Sequence, residues 1–97
     1  MFVGTLRLDL RLGDVRSLKQ KRAALRPVLT ELKRFDVCVA ETDHQDLYRR
    51  AEVGAAYVSG EPAQVRRVLD ACERAVAGRP DIEVLSARQR LFDEEDE

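Results

Sequence analysis

The first twelve residues alternate between apolar and polar side chains. Even positions from Phe2 to Leu12 are apolar or glycine, whereas Arg7, Asp9 and Arg11 stand at odd positions. A period of two indicates a strand with one buried face. The sequence therefore predicts a long first strand whose odd-numbered side chains lie on an uncovered face of a sheet.

The segment from Leu18 to Arg34 has the apolar spacing of an amphipathic helix. Its apolar residues recur about every 3.6 positions, which places them along one stripe. Ser17 is the expected N-cap, because its hydroxyl can accept a hydrogen bond from an amide of the first turn. Pro27 removes one backbone donor and crowds the preceding turn, so we expect a kink or a break near Arg26.

A second helix is predicted after residue 61. Pro62 is tolerated in a first helical turn, and Gly78 is expected to end the helix as a left-handed cap. The buried stripe of this helix would consist of Val65, Val68, Leu69, Cys72 and Val76.

Three further segments favour strands. They are the short apolar run 37–40, the run 51–58 and the alternating run 82–91. The small residues of the run 51–58 would let a helix approach closely. The predicted order is βαββαβ, which indicates an α+β ferredoxin-like sandwich: a four-stranded antiparallel sheet with both helices on one face. In this topology the first and third strands are central, and the second and fourth are edges.

Composition favours one domain over residues 1–92, followed by an acidic disordered tail at 93–97. The chain has 97 residues, of which 44% are apolar and 36% charged, and this balance excludes a disordered chain and a membrane protein. No apolar run suits a membrane span or a signal peptide, so we expect the cytoplasm. Cys38 and Cys72 lie in apolar runs without CxxC spacing, which favours reduced core thiols over a disulfide or zinc site.

The charge is distributed unevenly along the chain. Residues 1–35 carry nine Lys/Arg and three Asp/Glu, whereas residues 36–97 carry eight and fifteen. Such asymmetry can mark a surface that binds a polyanion, although folding can also interleave the charges.

Basic residues are most concentrated around the start of the first helix. The candidate binding residues there are Arg16, Ser17, Lys19, Lys21, Arg22 and Arg26. Lys21 projects into the apolar sector, so its stem should lie along the core while its ammonium reaches solvent. Cations at a helix N-terminus oppose the macrodipole, and a phosphate ligand would remove that conflict. The alternative is a solvated charged face, compensated by acids such as Asp14.

His44 is the only histidine and has acidic neighbours in sequence. One histidine with loop carboxylates is too little for a transition-metal or acid/base site, so we predict no metal and no cofactor. We expect His44 and Gln45 to bind backbone groups that shape the loop, or to form a partner contact. No catalytic motif is present, which favours a non-enzymatic protein.

Four segments carry a resemblance to a known family. They are Val3-Gly4-Thr5-Leu6, Ser17-Leu18-Lys19-Gln20-Lys21-Arg22, Val39-Ala40-Glu41 and His44-Gln45-Asp46-Leu47. In this order and spacing they resemble the YlxP-like family of small bacterial proteins. The resemblance implies a ferredoxin-like fold and, in many bacteria, a gene beside those for translation initiation and ribosome maturation factors. It implies no established activity, and Tyr48 stands where the family often has tryptophan.

Two main hypotheses of function follow, and a hydrolase or ligand-sensing site at His44 is kept as a third. The first is an accessory protein that binds a ribosomal subunit or structured RNA through phosphate contacts from the first helix. Base stacking on the sheet is not expected, because the first strand has no aromatic residue at odd positions and the third offers only Tyr57. The second hypothesis is a homodimeric interaction module that uses an edge strand or the open sheet face.

Overall fold

The computed structural model describes residues 1–95 and contains the predicted six elements. In chain order they are β1 (Phe2–Leu12), α1 (Leu18–Lys33), β2 (Cys38–Asp43), β3 (Arg50–Ser59), α2 (Pro62–Ala77) and β4 (Ile82–Asp93). The strands form one sheet in the order β2-β3-β1-β4, and all three neighbouring pairs are antiparallel. The predicted ferredoxin-like sandwich is confirmed, with β1 and β3 central.

The alternation of apolar and polar side chains in β1 determines which face of the sheet packs against the helices. Leu6, Leu8 and Leu10 are at most 1% exposed and belong to the core beneath α1 and α2. Arg7 and Arg11 are exposed on the other face, which no element of residues 1–95 covers. The prediction for the odd positions of β1 is confirmed.

Gly4 is the place where α2 comes closest to the sheet. A Cβ atom at Gly4 would clash with Val65 Cγ1 and would lie 2.8 Å from Leu69 Cδ1. Of the small residues of β3 that we expected to let a helix approach, Ala51 and Ala55 are buried on the covered face, whereas Gly54 lies on the open face, where it meets Thr42.

The predicted start of α1 is confirmed. Ser17 Oγ accepts a hydrogen bond from the Gln20 amide at 3.1 Å, and Gln20 Oε1 accepts one from the Arg16 amide at 2.7 Å. This arrangement resembles a capping box and engages two amides at the helix N-terminus.

The structure differs from the predicted ends and breaks of the helices at two places. The helix α1 continues through Pro27, so the expected break near Arg26 is absent and a kink there stays a prediction. Pro27 is exposed, while the neighbouring Leu25 and Val28 are buried in the core. Gly78 ends α2 with φ −78°, in the right-handed region. There the amides of Gly78 and Arg79 donate to carbonyls of the last turn, which removes the need for a left-handed residue.

Near the C-terminus, β4 extends past the predicted boundary at residue 92. Asp93 is its last residue, the Glu94 amide donates to the Met1 carbonyl at 3.3 Å, and the N-terminal amine lies 3.5 Å from a Glu94 carboxylate oxygen. The ordered domain therefore includes part of the acidic segment. The disorder predicted for residues 96 and 97 lies outside the described residues.

The two cysteines differ in environment. Cys72 is buried, as predicted, and burial raises the pKa of its thiol to about 11. Cys38 is exposed, so the prediction that it is a core thiol is wrong. It lies on the edge strand β2 opposite Ala56, on the uncovered face. Neither α1 nor α2, the helices found in residues 1–95, has the length and apolar content that a membrane crossing requires.

Candidate functional site

The start of α1 and the loop 44–49 lie at the same end of the domain. This follows from the sheet, because β1 and β2 are both antiparallel to β3 and therefore end on the same side. Two hydrogen bonds join the loop to the end of β1 and to the segment that follows it. The Leu12 amide donates to the Arg49 carbonyl at 2.8 Å, and Arg49 Nε donates to the Val15 carbonyl at 3.4 Å. The candidate site is built on this end.

Lys19, Arg22 and Arg26 form a basic row along the outer surface of α1. They are spaced by three and four positions, so they share one helical face, and all three are exposed. No acidic residue lies three or four positions from any of them. Within residues 1–95 none of the three forms an ion pair, unlike Arg16 and Lys21. The basic row is therefore a surface of uncompensated positive charge.

Arg16 and Ser17 have other contacts at the helix start. Arg16 Nε lies 3.7 Å from Asp14 Oδ1, with both side chains largely in solvent, which is the compensation considered as the alternative. The Ser17 hydroxyl and the Gln20 amide are already joined in the cap. A phosphate at this terminus would compete with those contacts, so the basic row is the better anion-binding surface.

Lys21 does not belong to the basic row. Its side chain is 2% exposed, its Nζ lies 2.8 Å from Glu41 Oε2, and it donates to the His44 carbonyl. The prediction that its ammonium reaches solvent is wrong, because β2 brings Glu41 over the apolar sector of α1. A buried ammonium requires such partners, since an unpaired one is strongly destabilising. Lys21 is not accessible to a phosphate outside the domain.

The loop that follows β2 is shaped largely by the main chain of His44. This residue has φ 62°, its amide donates to Asp43 Oδ1 at 2.7 Å, and its carbonyl accepts from the Leu47 amide at 3.1 Å. Its Nε2 lies 3.9 Å from Asp9 Oδ1, and Arg50 Nη2 binds both oxygens of Asp9 at 2.9 and 2.7 Å. No group of three potential metal ligands occurs in the described part of the chain.

Gln45, Leu47 and Tyr48 are all exposed at the tip of this loop. Leu47 and Tyr48 are 47% and 49% exposed, which is unusual for large apolar side chains. The signal in the sequence was two large apolar residues inside a polar segment, directly before Arg49 and Arg50.

Lys21, Glu41 and His44 come from three of the four segments that carried the family resemblance. Their contact joins α1, β2 and the loop 44–49 into one unit. These segments therefore have a shared structural role, because the Lys21 ammonium pairs with Glu41 of β2 and donates to the His44 carbonyl at the start of the loop. This contact could not be predicted from the sequence, since it depends on how β2 lies against α1.

These observations define a small ferredoxin-like domain that carries a basic helix and a positioned loop. Residues 3–89 match a family described as protein of unknown function (DUF503), and the chain belongs to this family. It is 34% identical over 80 residues to the uncharacterized protein YlxP of Bacillus subtilis (strain 168), which covers 81% of this chain and 87% of that protein. The resemblance stated from sequence is confirmed.

A solved structure with a similar fold is the de novo designed protein Foldit4. The TM-score is 0.58 at 15% sequence identity, and the match covers 96% of this chain and 97% of the designed one. At this identity the similarity concerns the fold alone.

Proposed function

We propose that this chain is a cytoplasmic, non-enzymatic accessory protein that binds structured RNA on a ribosomal subunit. The observation that carries the proposal is the basic row of Lys19, Arg22 and Arg26, which is exposed and has no acidic partner in residues 1–95. Phosphate groups can neutralise the positive charge of such a row, and RNA presents phosphate groups at regular spacing.

Stability alone does not account for the basic row. Like charges three or four positions apart on a helix destabilise it by about 0.2–0.5 kcal/mol per pair. Cations in the first turns add an unfavourable interaction with the macrodipole. The first turn of α1 contains no acid to offset either effect. A polyanionic partner removes both penalties, which supports a binding role for this surface.

The arrangement favours recognition of RNA shape over sequence. Contacts from lysine and arginine to phosphates position a protein on RNA without reading bases. Tyr48, exposed on the neighbouring loop, supplies one ring on which an unpaired base can stack. The expected ligand is therefore a helical RNA segment that ends in a loop or bulge.

Charge reversal of Lys19→Glu with Arg26→Glu tests the proposal. Fluorescence anisotropy with a labelled ribosomal RNA hairpin should show an affinity loss of about a hundredfold at low salt, because two phosphate contacts are replaced by repulsion. The slope of affinity against salt concentration should also become shallower. Urea unfolding should show an equal or slightly higher stability, since both residues are exposed and the change removes like-charge pairs from α1.

Arg66→Glu with Arg67→Glu is the matched control. These arginines are exposed on α2 and carry the same charge change away from the basic row. Their reversal should lower RNA affinity only slightly. Equal losses for the two double variants would mean that net charge, and not the basic row, determines binding, and the proposal would be wrong.

Self-association is the second candidate function. The edge strand β2 pairs only with β3, so its other edge carries backbone groups that a second chain can bind. Sedimentation equilibrium should then give the dimer mass. A monomer mass at high concentration excludes this function.

A further inference from the structure

Two rows of side chains cross the open face of the sheet from β2 to β4. The strand register places Cys38, Ala56, Thr5 and Arg90 in the first row, and Ala40, Gly54, Arg7 and Arg88 in the second. In both rows the residues on β2 and β3 are small, and β4 contributes an arginine. We call the side of the open face formed by β2 and β3, where the side chains are small, the low half. The side near β4, where the arginines lie, is the basic half.

The low half is a shallow concavity of about 680 Å³. Its floor is formed by small side chains, and at Gly54 by the Thr42 side chain, whose Cγ2 lies 2.9 Å from where a Cβ atom of Gly54 would be. Arg7, Asp43 and Glu52 also line it, and no loop of residues 1–95 closes over it. A shallow floor of small side chains can accept the face of a planar group.

The basic half holds three arginines close together. Arg7 and Arg88 are directly opposite each other on antiparallel strands, an arrangement that destabilises a sheet when the charges are alike. Arg7 Nε lies 3.7 Å from Glu52 Oε1. Among the described residues, Arg88 and Arg90 form no ion pair with a carboxylate.

The acids of the row Asp43, Glu52 and Asp9 lie toward β2 and β3 and already have polar contacts. Asp43 accepts a hydrogen bond from the His44 amide at 2.7 Å. Asp9 is bound by Arg50 through both carboxylate oxygens. Glu52 accepts a hydrogen bond from Thr42 Oγ1 at 2.6 Å in addition to its contact with Arg7. Positive charge therefore remains uncompensated at the β4 side of the face.

An aromatic ring borders the same arginines. Phe92 lies opposite Val3, which places it on the open face, and it is 43% exposed. The Arg90 guanidinium carbon lies 5.0 Å from the centre of the Phe92 ring, a cation–π contact that orients the guanidinium. The open face was expected from the sequence, but the presence of Arg88, Arg90 and Phe92 on it was not, because the register of β4 against β1 determines which residues of β4 face outward.

We propose that the open face of the sheet binds single-stranded RNA. Arg7, Arg88 and Arg90 contact phosphates, and bases lie on the small-residue floor and beside Phe92. The proposal rests on the proposed function that the chain binds RNA, and it adds a second surface on the side of the sheet opposite α1.

Three features favour a single strand over other anions. A small molecule would stay largely exposed, whereas small-molecule sites bury most of their ligand. The bases of a duplex are stacked and paired, so only a single strand can lay base faces on the floor. Arg88 and Arg90 are two positions apart on one strand, which separates their backbones by about 7 Å and suits successive phosphates of an extended strand.

Cys38 provides a direct readout of occupancy. It lies in the first row and is exposed, whereas the buried Cys72 has a raised pKa and should not react at neutral pH. Iodoacetamide alkylation followed by intact mass should therefore report on Cys38 alone. The probe is a single-stranded oligoribonucleotide of about ten nucleotides, compared with a duplex of the same length and with AMP.

The single strand should slow Cys38 alkylation about tenfold when it is present at roughly ten times its Kd. Arg88→Gln with Arg90→Gln should abolish this protection while preserving the fold, since these changes remove like charges from exposed positions. Arg67→Gln with Arg74→Gln, at exposed positions of α2, is the matched control and should leave the protection intact.

Several results would overturn the proposal. If RNA binds but Cys38 reacts at its usual rate, the open face is not a site, while the role of the basic row is unaffected. Equal protection by AMP or by the duplex would mean a different ligand class. Protection that rises with protein concentration in the absence of RNA would mean that a second copy covers the face. If no RNA binds the wild-type protein, both proposals fail.

Discussion

At the scale of residues, the same side chain has opposite roles two positions apart. Lys19 is exposed and unpaired within residues 1–95, whereas Lys21 is buried against Glu41 and the His44 carbonyl. Their local sequence is the same basic run. The difference comes from the carboxylate that β2 brings to one of them, so a lysine in such a run cannot be assigned to a ligand from sequence alone.

Replacing Lys21 tests its structural role. Lys21→Met keeps most of the buried stem but removes the ammonium, leaving Glu41 and the His44 carbonyl without their partner. We expect the free energy of unfolding to fall by about 1–3 kcal/mol in urea denaturation. RNA affinity should fall much less than in the Lys19→Glu, Arg26→Glu protein, because Lys21 contacts no phosphate and affects binding only through the position of the loop that carries Tyr48.

Glu41→Gln is the companion change for this pair. It keeps the shape of the side chain and removes the negative charge beside the buried ammonium, so it should also destabilise. A Lys21→Met protein with unchanged stability and lost RNA binding would contradict the assignment of Lys21 as a structural residue.

Some residue assignments could be predicted and others could not. Ser17 was found as an N-cap because capping depends on residues three positions away in sequence. The exposure of Cys38 could not be predicted, because an apolar run does not show which side chains of an edge strand face the helices. Arg88, Arg90 and Phe92 were missed for a related reason: their placement depends on a register shift between Asp9 and Leu10 of β1.

At the scale of elements, the contact between β1 and α2 depends on one glycine. A methyl group at Gly4 has no room beside Val65 and Leu69. Gly4→Ala should therefore push α2 from the sheet and lower the free energy of unfolding by about 1–3 kcal/mol. Urea denaturation measures the loss.

Gly60→Ala is the control for that change. Nothing lies within 4 Å of a Cβ at Gly60, and its φ is not positive. This change should be neutral or slightly stabilising, because alanine restricts the unfolded chain. A Gly4→Ala protein as stable as the Gly60→Ala protein would show that α2 does not need the close approach.

The elements themselves were largely predictable, but their ends and irregularities were not. Alternation in β1 and the stripes of α1 and α2 indicated type and order directly. The effect of Pro27 was overestimated because packing of the neighbouring Leu25 and Val28 outweighs one missing hydrogen bond. Left-handed residues occur at Asp14, Asp36 and His44 instead of at Gly78, since local hydrogen bonds decide where the chain needs them.

At the scale of the whole molecule, positive charge lies on two opposite sides. The basic row follows α1, and the arginines of the open face lie across the sheet from it. The acidic segment after β4 is held in part by the N-terminal amine at Glu94. A domain with two such surfaces could contact a helical segment on one side and an unpaired segment on the other.

Co-sedimentation with ribosomal subunits from a cell lysate tests the central claim most directly. The tagged protein should migrate with one subunit at low salt, dissociate at high salt, and remain at the top of the gradient when Lys19 and Arg26 are changed to Glu. The Arg66→Glu, Arg67→Glu protein should still migrate with the subunit. Wild-type protein that stays at the top of the gradient at both salt concentrations would contradict the claim.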